Sequence, residues 1–367
     1  MENSLYLVYP DRSESGTLET LPETAGLKLI TESYFFENYH NISPSSKICI
    51  TSEATLESIL KRLNDQSAKR AIQSMKDKHL FRELLLEDYP SLQYQHIHYD
   101  DIHQLEISNK KVLKPVKGCF GTAVKIIDQY SDLSRISDEI RSEISTNSSV
   151  LSDSVLSQSE FILEDFIEGE EYAVDMFYDS EGNPHIVNIY YHPLPKYEAY
   201  LHMIYYTNKS IFETIYQDAL QFFKRLNHKL KMSNIALHSE FKLDRELVPI
   251  EINSMRFGGM GLGNMAYHSM EVNPYEHFIN EYSPDWEKIW ESHPESNYVY
   301  FIAYNGTDID VNSQQPDFAK LESMFTRILN KTYFDYKNQL AFGVYTLEES
   351  LENIDKLLQM DFNEYFK

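Results

Sequence analysis

Residues 238–259 read HSEFKLDRELVPIEINSMRFGG: two apolar-rich runs, Leu237–Leu243 and Leu247–Asn253, flank a polar turn at Asp244–Glu246. The pattern predicts an antiparallel hairpin. Side chains alternate along a strand, so Glu251 and Asn253 share a face. A turn with an even number of residues would set Glu240 opposite Glu251 on that face. Carboxylates facing each other repel unless a cation or proton intervenes. Two carboxylates and an amide oxygen suit Mg²⁺, which takes a few carboxylates, substrate phosphates and water. The competing reading is a solvated hairpin face; the flanking apolar residues and the glycines after Arg256 weigh against it.

Upstream, Tyr172–Tyr191 alternates around a turn at Asp179–Asn183 and reads as another antiparallel hairpin, and Ile211–Lys231 reads as an amphipathic helix. Phe161–Phe166 is strand-like. Residues 145–159 are Ser-rich and read as a solvated loop. Lys111–Pro115 and Ala123–Ile127 read as strands joined by a glycine-containing loop, followed by a polar helix through Ile144. Ala68–Leu86 reads as one helical stretch. Nearer the start, Leu5–Tyr9, Leu27–Thr31 and Lys47–Thr51 read as buried strands, with a helix at Glu53–Leu63, which suggests a small parallel α/β unit. Downstream, Tyr298–Ala303 and Leu340–Tyr345 are strand-like, and Thr346 with Glu349 forms a potential capping box opening a helix. No internal repeat is visible.

The bulk numbers bound the function. At 367 residues the chain is long for one domain, and 42% hydrophobic residues supply a sizeable core. The excess of 57 acids over 33 bases, a formal charge of −24, argues against a nucleic-acid surface or anionic membrane as partner. Cys49 and Cys119 lie far apart, so no disulfide framework is visible and a reducing cytoplasm is expected. No signal peptide or membrane span is expected.

Two further segments carry chemistry. In VLKPVKGCFGTAV, Lys114 ends a strand and Gly118 and Gly121 follow; an ammonium and backbone amides there can meet phosphate oxygens. It is not a Walker A sequence. In EDFIEGEEY, the strand ending at Phe166-Ile167 exposes backbone groups able to pair with an adenine edge, and Glu171 can accept from ribose hydroxyls. Each alone also reads as an ordinary turn or charged loop.

In order, Lys78 in MKDKHLFREL, Lys114 in VLKP, Gly118 and Gly121, Glu164–Glu171, then Glu240, Glu251 and Asn253 resemble the ATP-grasp superfamily over about residues 76–263. The resemblance implies an α/β (α+β) chain: an N-terminal parallel α/β domain (1–75), a helical connector (76–109), a lid subdomain (110–170), a central antiparallel-sheet catalytic subdomain (171–283) and a C-terminal α/β extension (284–367). It implies Lys78 and Lys114 on the ATP phosphates, Gly118–Gly121 as the lid over them, Glu164, Phe166 and Ile167 along the adenine pocket, Glu171 on the ribose and Ile250 under the base. Glu240, Glu251 and Asn253 would hold one or two Mg²⁺, with Mn²⁺ as a substitute, and Arg256 would bind the transferred phosphate or substrate carboxylate. Two departures stand out: GCFGT is poor in glycine, and NSMR places two residues between Asn253 and Arg256, which puts the arginine's aim in question.

The resemblance implies an ATP-dependent ligase that joins a small-molecule carboxylate to an amine through an acyl phosphate, with homodimerisation open. The alternatives are a kinase on the same scaffold and a non-catalytic nucleotide-binding module; the full set of two lysines and three metal ligands speaks against the latter. His238, on the Glu240 strand face, reads as structural. The segment Tyr190–Tyr206, with His192, Lys196 and His202, is a candidate cleft border, although the chain holds 27 tyrosines. RFGGMGLGN, residues 256–264, can offer backbone amides to a carboxylate.

Overall fold

The fold is described from a computed structural model, over residues 4–12, 16–118, 121–147, 156–193 and 203–367. Strands β1 (Leu5–Tyr9), β2 (Leu27–Thr31) and β3 (Lys47–Ile50) form a parallel sheet in the order β2-β1-β3. Leu5, Leu7, Val8 and Cys49 are fully buried, which accounts for the uninterrupted apolar character of β1.

Expected as one helix, residues 68–86 instead form two, Gln66–Lys76 and Lys78–Leu85. Asp77 breaks them: its backbone is extended, and its carboxylate accepts from the amides of His79 and Leu80 as an N-cap. Strand β4 (Tyr94–His98) then falls in the stretch expected to be a helical connector. Only Ile97 of its five residues is buried, so it lacks an apolar signature. It joins β5 (Lys111–Pro115), β6 (Lys125–Ile127) and β7 (Glu160–Asp165) in an antiparallel sheet ordered β4-β7-β5-β6. The helix Leu133–Asn147 covers this sheet through Ile140 and Ile144. β6 starts later than expected because Ala123 adopts φ 58°.

The large sheet has eight antiparallel strands: β8 (Glu170–Tyr178), β9 (Pro184–His192), β10 (Ile204–Thr207), β11 (Ile235–Leu243), β12 (Leu247–Ser254), β13 (Asn297–Tyr304), β14 (Arg327–Tyr333) and β15 (Ala341–Glu349), in the order β12-β11-β8-β9-β10-β13-β15-β14. The strands of the expected C-terminal extension therefore continue the central sheet. The capping box expected at Thr346–Glu349 is absent, since both residues lie in β15, where Thr346 pairs with Tyr300 and is buried. The helix starts instead at Leu351, capped by Ser350, whose hydroxyl accepts from the Asn353 amide. β14, an edge strand of mostly polar residues, carries no apolar pattern that predicts it.

The amphipathic helix Lys209–Leu230 lays Phe222 and Phe223 against the sheet, where Phe241 meets them edge-on at 5.2 and 5.9 Å. Phe241 is fully buried one residue past Glu240. Phe241→Ala is expected to cost about 3–5 kcal/mol, read as a fall in the urea midpoint with unchanged m-value.

Edge strand β12 is covered by the second of the two helices and the turn after it: Arg82 donates to Pro249 O (2.7 Å) and Tyr89 to Leu247 O (2.9 Å). Pro249 is tolerated because an edge strand can spare an amide. Among the described residues, no helix is long and apolar enough to cross a membrane.

Candidate nucleotide and metal site

Glu240 does pair with Glu251, but by a different route from an even turn. The turn Asp244–Glu246 is odd, pairing Leu243 with Leu247 and Phe241 with Pro249. A bulge between Glu240 and Phe241 then takes up Ile250, so Glu240 faces Glu251 and His238 faces Asn253. The half-buried Ile250, expected beneath the adenine, is the bulged residue. The bulge puts Glu240, Glu251 and Asn253 on one face of the sheet.

The two carboxylates differ in charge state. Burial pushes Glu251 up, but the ammonium groups of Lys78 (3.0 Å) and Lys76 (4.0 Å) outweigh it and hold Glu251 below the usual carboxylate range. Glu240 lacks such a partner; burial, then Glu251 and Glu171, push it up to about 7 against His238 and Arg256. His238 Nε2 lies 3.9 Å from Glu240, while its Nδ1 bonds Asp175 at 2.8 Å. Asp175 is fully buried and also accepts from the Tyr190 hydroxyl at 2.8 Å. His238 is thus anchored to the sheet.

Asn253, two residues beyond Glu251, lies on the same face. In one orientation its amide oxygen faces the carboxylates of Glu251 and Glu53, an array of acceptors that a divalent cation satisfies. In the other, its nitrogen donates to Glu53 and to Glu251 (3.2 Å) and its oxygen accepts from Arg256 (3.2 Å). Among the described residues, no group of three or more His, Cys, Asp or Glu side chains is disposed to hold a metal. Two carboxylates and an amide would leave half of an octahedral shell to phosphate and water, which suits Mg²⁺.

Cations line the facing wall. Lys78 opens its helix, and its amide donates to Val116 O (2.7 Å) just beyond β5. Lys114 on β5 pairs with Glu164 on β7, and Arg82 Nε donates to the same carboxylate at 2.7 Å. Burial raises Glu164, but Arg82 and Lys114 bring it down to about 2. Burial lowers Lys114 despite Glu164, and Arg82 and Lys78 lower it further. The Glu164 side chain, expected along the adenine pocket, is committed to these two cations. Gly118 is buried, and its carbonyl accepts from Lys76 Nζ at 2.9 Å. Gly121 holds φ +67° in open space; Cys119 and Phe120 between them lie outside the described residues.

Phe166 and Ile167 follow β7, half-buried, with Lys110 Nζ 3.5 Å above the Phe166 ring. Glu171, expected at the ribose, is buried, 2.7 Å from His192 Nδ1 and 3.7 Å from Lys242. His192 stacks on Tyr205 at 4.2 Å. Of the candidate border Tyr190–Tyr206, residues 194–202, including Lys196 and His202, lie outside the described residues.

The spacing in NSMR resolves through Met255, which adopts φ 65°. Its amide donates to Ala236 O (2.7 Å) and its carbonyl accepts from Ile50 N (2.8 Å). This turn absorbs the extra residue and returns Arg256 toward Asn253. Arg256 donates to Glu53 (3.0 Å) and Phe257 O (3.1 Å). In the following glycine loop, Gly263 N is spent on Gly258 O (3.1 Å), and Asn264 ties the loop to Thr17 and Thr20.

Glu53, Lys76, Arg82 and Asp175 belong to the cluster but were not anticipated. Glu53 pairs with both Lys76 and Arg256, which together hold it at about 2 against burial. Lys76 and Arg82 flank Lys78 in KDKHLFR, and their density was the available signal. TSEAT around Glu53 carries none.

Residues 107–264 match the model of an ATP-grasp domain. The fold is shared with L-amino acid ligase from Bacillus licheniformis: 14% identity, TM-score 0.68, covering 100% of this chain and 98% of that one. It is similar too to N5-carboxyaminoimidazole ribonucleotide synthetase from Thermotoga maritima, at 12% identity and TM-score 0.62 over 99% of each chain. A third is the biotin carboxylase domain of Hydrogenobacter thermophilus 2-oxoglutarate carboxylase in complex with MgADP, ADP and bicarbonate, at 11% identity and TM-score 0.52 over 77% of this chain and 63% of that one. No curated protein matches the chain by sequence.

The raised Glu240 carboxyl has a pH consequence. Were Glu240 a metal ligand, the metal would have to displace its proton, and Mg²⁺·ATP affinity would fall below pH 7, approaching about tenfold per pH unit, and level off above. Calorimetric titration from pH 6 to 8 checks this. Without metal the sign reverses: the neutral Glu240 carboxyl stabilises the fold fully below the usual 4.5, and this contribution is lost as pH rises to about 7. Glu53 and Glu164 act oppositely: their contribution is complete above 4.5 and is lost as pH falls toward 2.

Proposed function

We propose that the chain is an ATP-dependent ligase that joins a carboxylate to an amine through an acyl phosphate, releasing ADP and phosphate. The observation that carries this reading is the cluster that Glu240, Glu251 and Asn253 form with Lys78, Lys114 and Arg256. The MgADP and ADP bound in the similar Hydrogenobacter thermophilus domain, and the shared fold with an L-amino acid ligase, support it.

In this reading Glu240, Glu251 and Asn253 would hold Mg²⁺, with Mn²⁺ as a substitute, which would supply charge neutralisation at the ATP phosphates. Lys78 releases Glu251 to receive phosphate, and Lys114 meets the nucleotide from the facing wall. Phe166, Ile167 and Ile250 hold the base, Glu171 the ribose, and Gly118 and Gly121 lie over the phosphates. Phosphoryl transfer asks for alignment and charge neutralisation more than covalent help from the protein. A substrate carboxylate attacks the γ-phosphorus, the bond to ADP breaks, and Arg256 stabilises the charge on the acyl phosphate. The amine then displaces phosphate. The expected boundaries at 75, 109, 170 and 283 are retained as units of action, with β4 working in the lid sheet and β13–β15 extending the catalytic sheet.

An ADP-release assay with amino acids, singly and in pairs, with product mass measured, tests the reading. ADP release that needs both a carboxylate and an amine, with a condensed product, supports it. ADP with a phosphorylated single substrate would establish a kinase instead.

A further inference from the structure

We propose that Arg82 is a positioning residue that braces the two walls of the cleft, and that its remaining guanidinium nitrogen donates to the nucleotide held between them. This rests on the reading of the cleft as a nucleotide site. Arg82 lies one helical turn beyond Lys78, on the same helix face. Its Nε donates to Glu164 Oε2 on β7, and its Nη1 to Pro249 O on β12, both at 2.7 Å. The first contact fixes the carboxylate that holds Lys114. The second fixes the strand at the residue before bulged Ile250 and the metal-facing Glu251. One side chain therefore sets the spacing between the lysine wall and the carboxylate wall.

The third nitrogen, Nη2, is buried and has no hydrogen-bond partner. A buried donor on a charged group is costly to leave unpaired. Arg82 and Lys114 share the single Glu164 carboxylate, two cations on one anion. Both features call for an acceptor on an anion, and a nucleotide supplies one on its phosphates or its base. Lysine cannot replace the arginine, because one ammonium cannot span two walls and keep a further donor in a fixed plane.

Arg82→Lys tests this with two readouts: Kd for Mg²⁺·ATP by calorimetry, and the nucleotide-induced rise in Tm. The expected result is Mg²⁺·ATP affinity lowered about tenfold or more, in a folded protein with a reduced Tm rise and unchanged KM for the amine. Inorganic tripolyphosphate separates the two acceptors. An equal loss for tripolyphosphate assigns Nη2 to a phosphate; a loss confined to ATP assigns it to the base. ATP affinity within twofold of wild type overturns the proposal. Should Arg82→Lys fail to fold, Glu164→Gln, which loosens the brace from the other side, must weaken ATP binding similarly; unchanged affinity there overturns it too. Wild type that binds no nucleotide refutes the underlying function, not the brace alone.

Discussion

Glu251→Gln is expected to abolish ADP release and to weaken Mg²⁺·ATP binding by about two to three orders of magnitude. Glu251 faces Lys78 at 3.0 Å and Lys76 at 4.0 Å, which hold it ionised, whereas Glu240 retains a proton up to about pH 7. In the proposed reading Glu251 is thus the carboxylate that would already be charged when metal and nucleotide arrive. Glutamine keeps the shape and removes the charge, leaving two lysines facing a neutral amide. Fold retention is checked by far-ultraviolet circular dichroism, and binding by calorimetry with Mg²⁺·ATP. Wild-type affinity in this variant would remove Glu251 from the metal set.

Arg256→Lys should lower kcat by about a hundredfold or more while leaving KM for ATP within a few-fold. The argument is geometric. The guanidinium is held by Glu53 at 3.0 Å and Phe257 O at 3.1 Å, beside the Asn253 amide. Its charge acts on Glu53 and Glu240, so in the proposed reading its loss would be felt at the acyl phosphate rather than in nucleotide binding. A lysine retains the charge but not the planar fork. Steady-state ADP release separates the two parameters; equal loss in kcat and ATP affinity would assign Arg256 to nucleotide binding.

Sequence pattern revealed much of this arrangement. Apolar runs located β1 to β3, and alternation located the two hairpins, because burial on one or both faces writes directly into residue choice. Glu240 opposite Glu251 was anticipated, but through the wrong device, since nothing in EFKLDRELVPIE marks Ile250 as a bulge. β4 and β14 escaped because a strand with exposed polar residues has no apolar period to detect. The break at Asp77 was visible in principle as an N-cap ahead of HLF. Glu53 could not be found from sequence. It reaches Arg256 across 203 positions, and the packing of β3 on the large sheet, with Ile50 N donating to Met255 O, brings them together.

The central claim, that this cleft activates a carboxylate by phosphorylation, is tested most directly with ¹⁸O. Amino acids labelled with ¹⁸O in their carboxyl groups, supplied with ATP, Mg²⁺ and unlabelled amine, should yield a condensed product together with phosphate carrying one ¹⁸O atom. Phosphate free of label, released alongside a condensed product, would contradict the acyl-phosphate route.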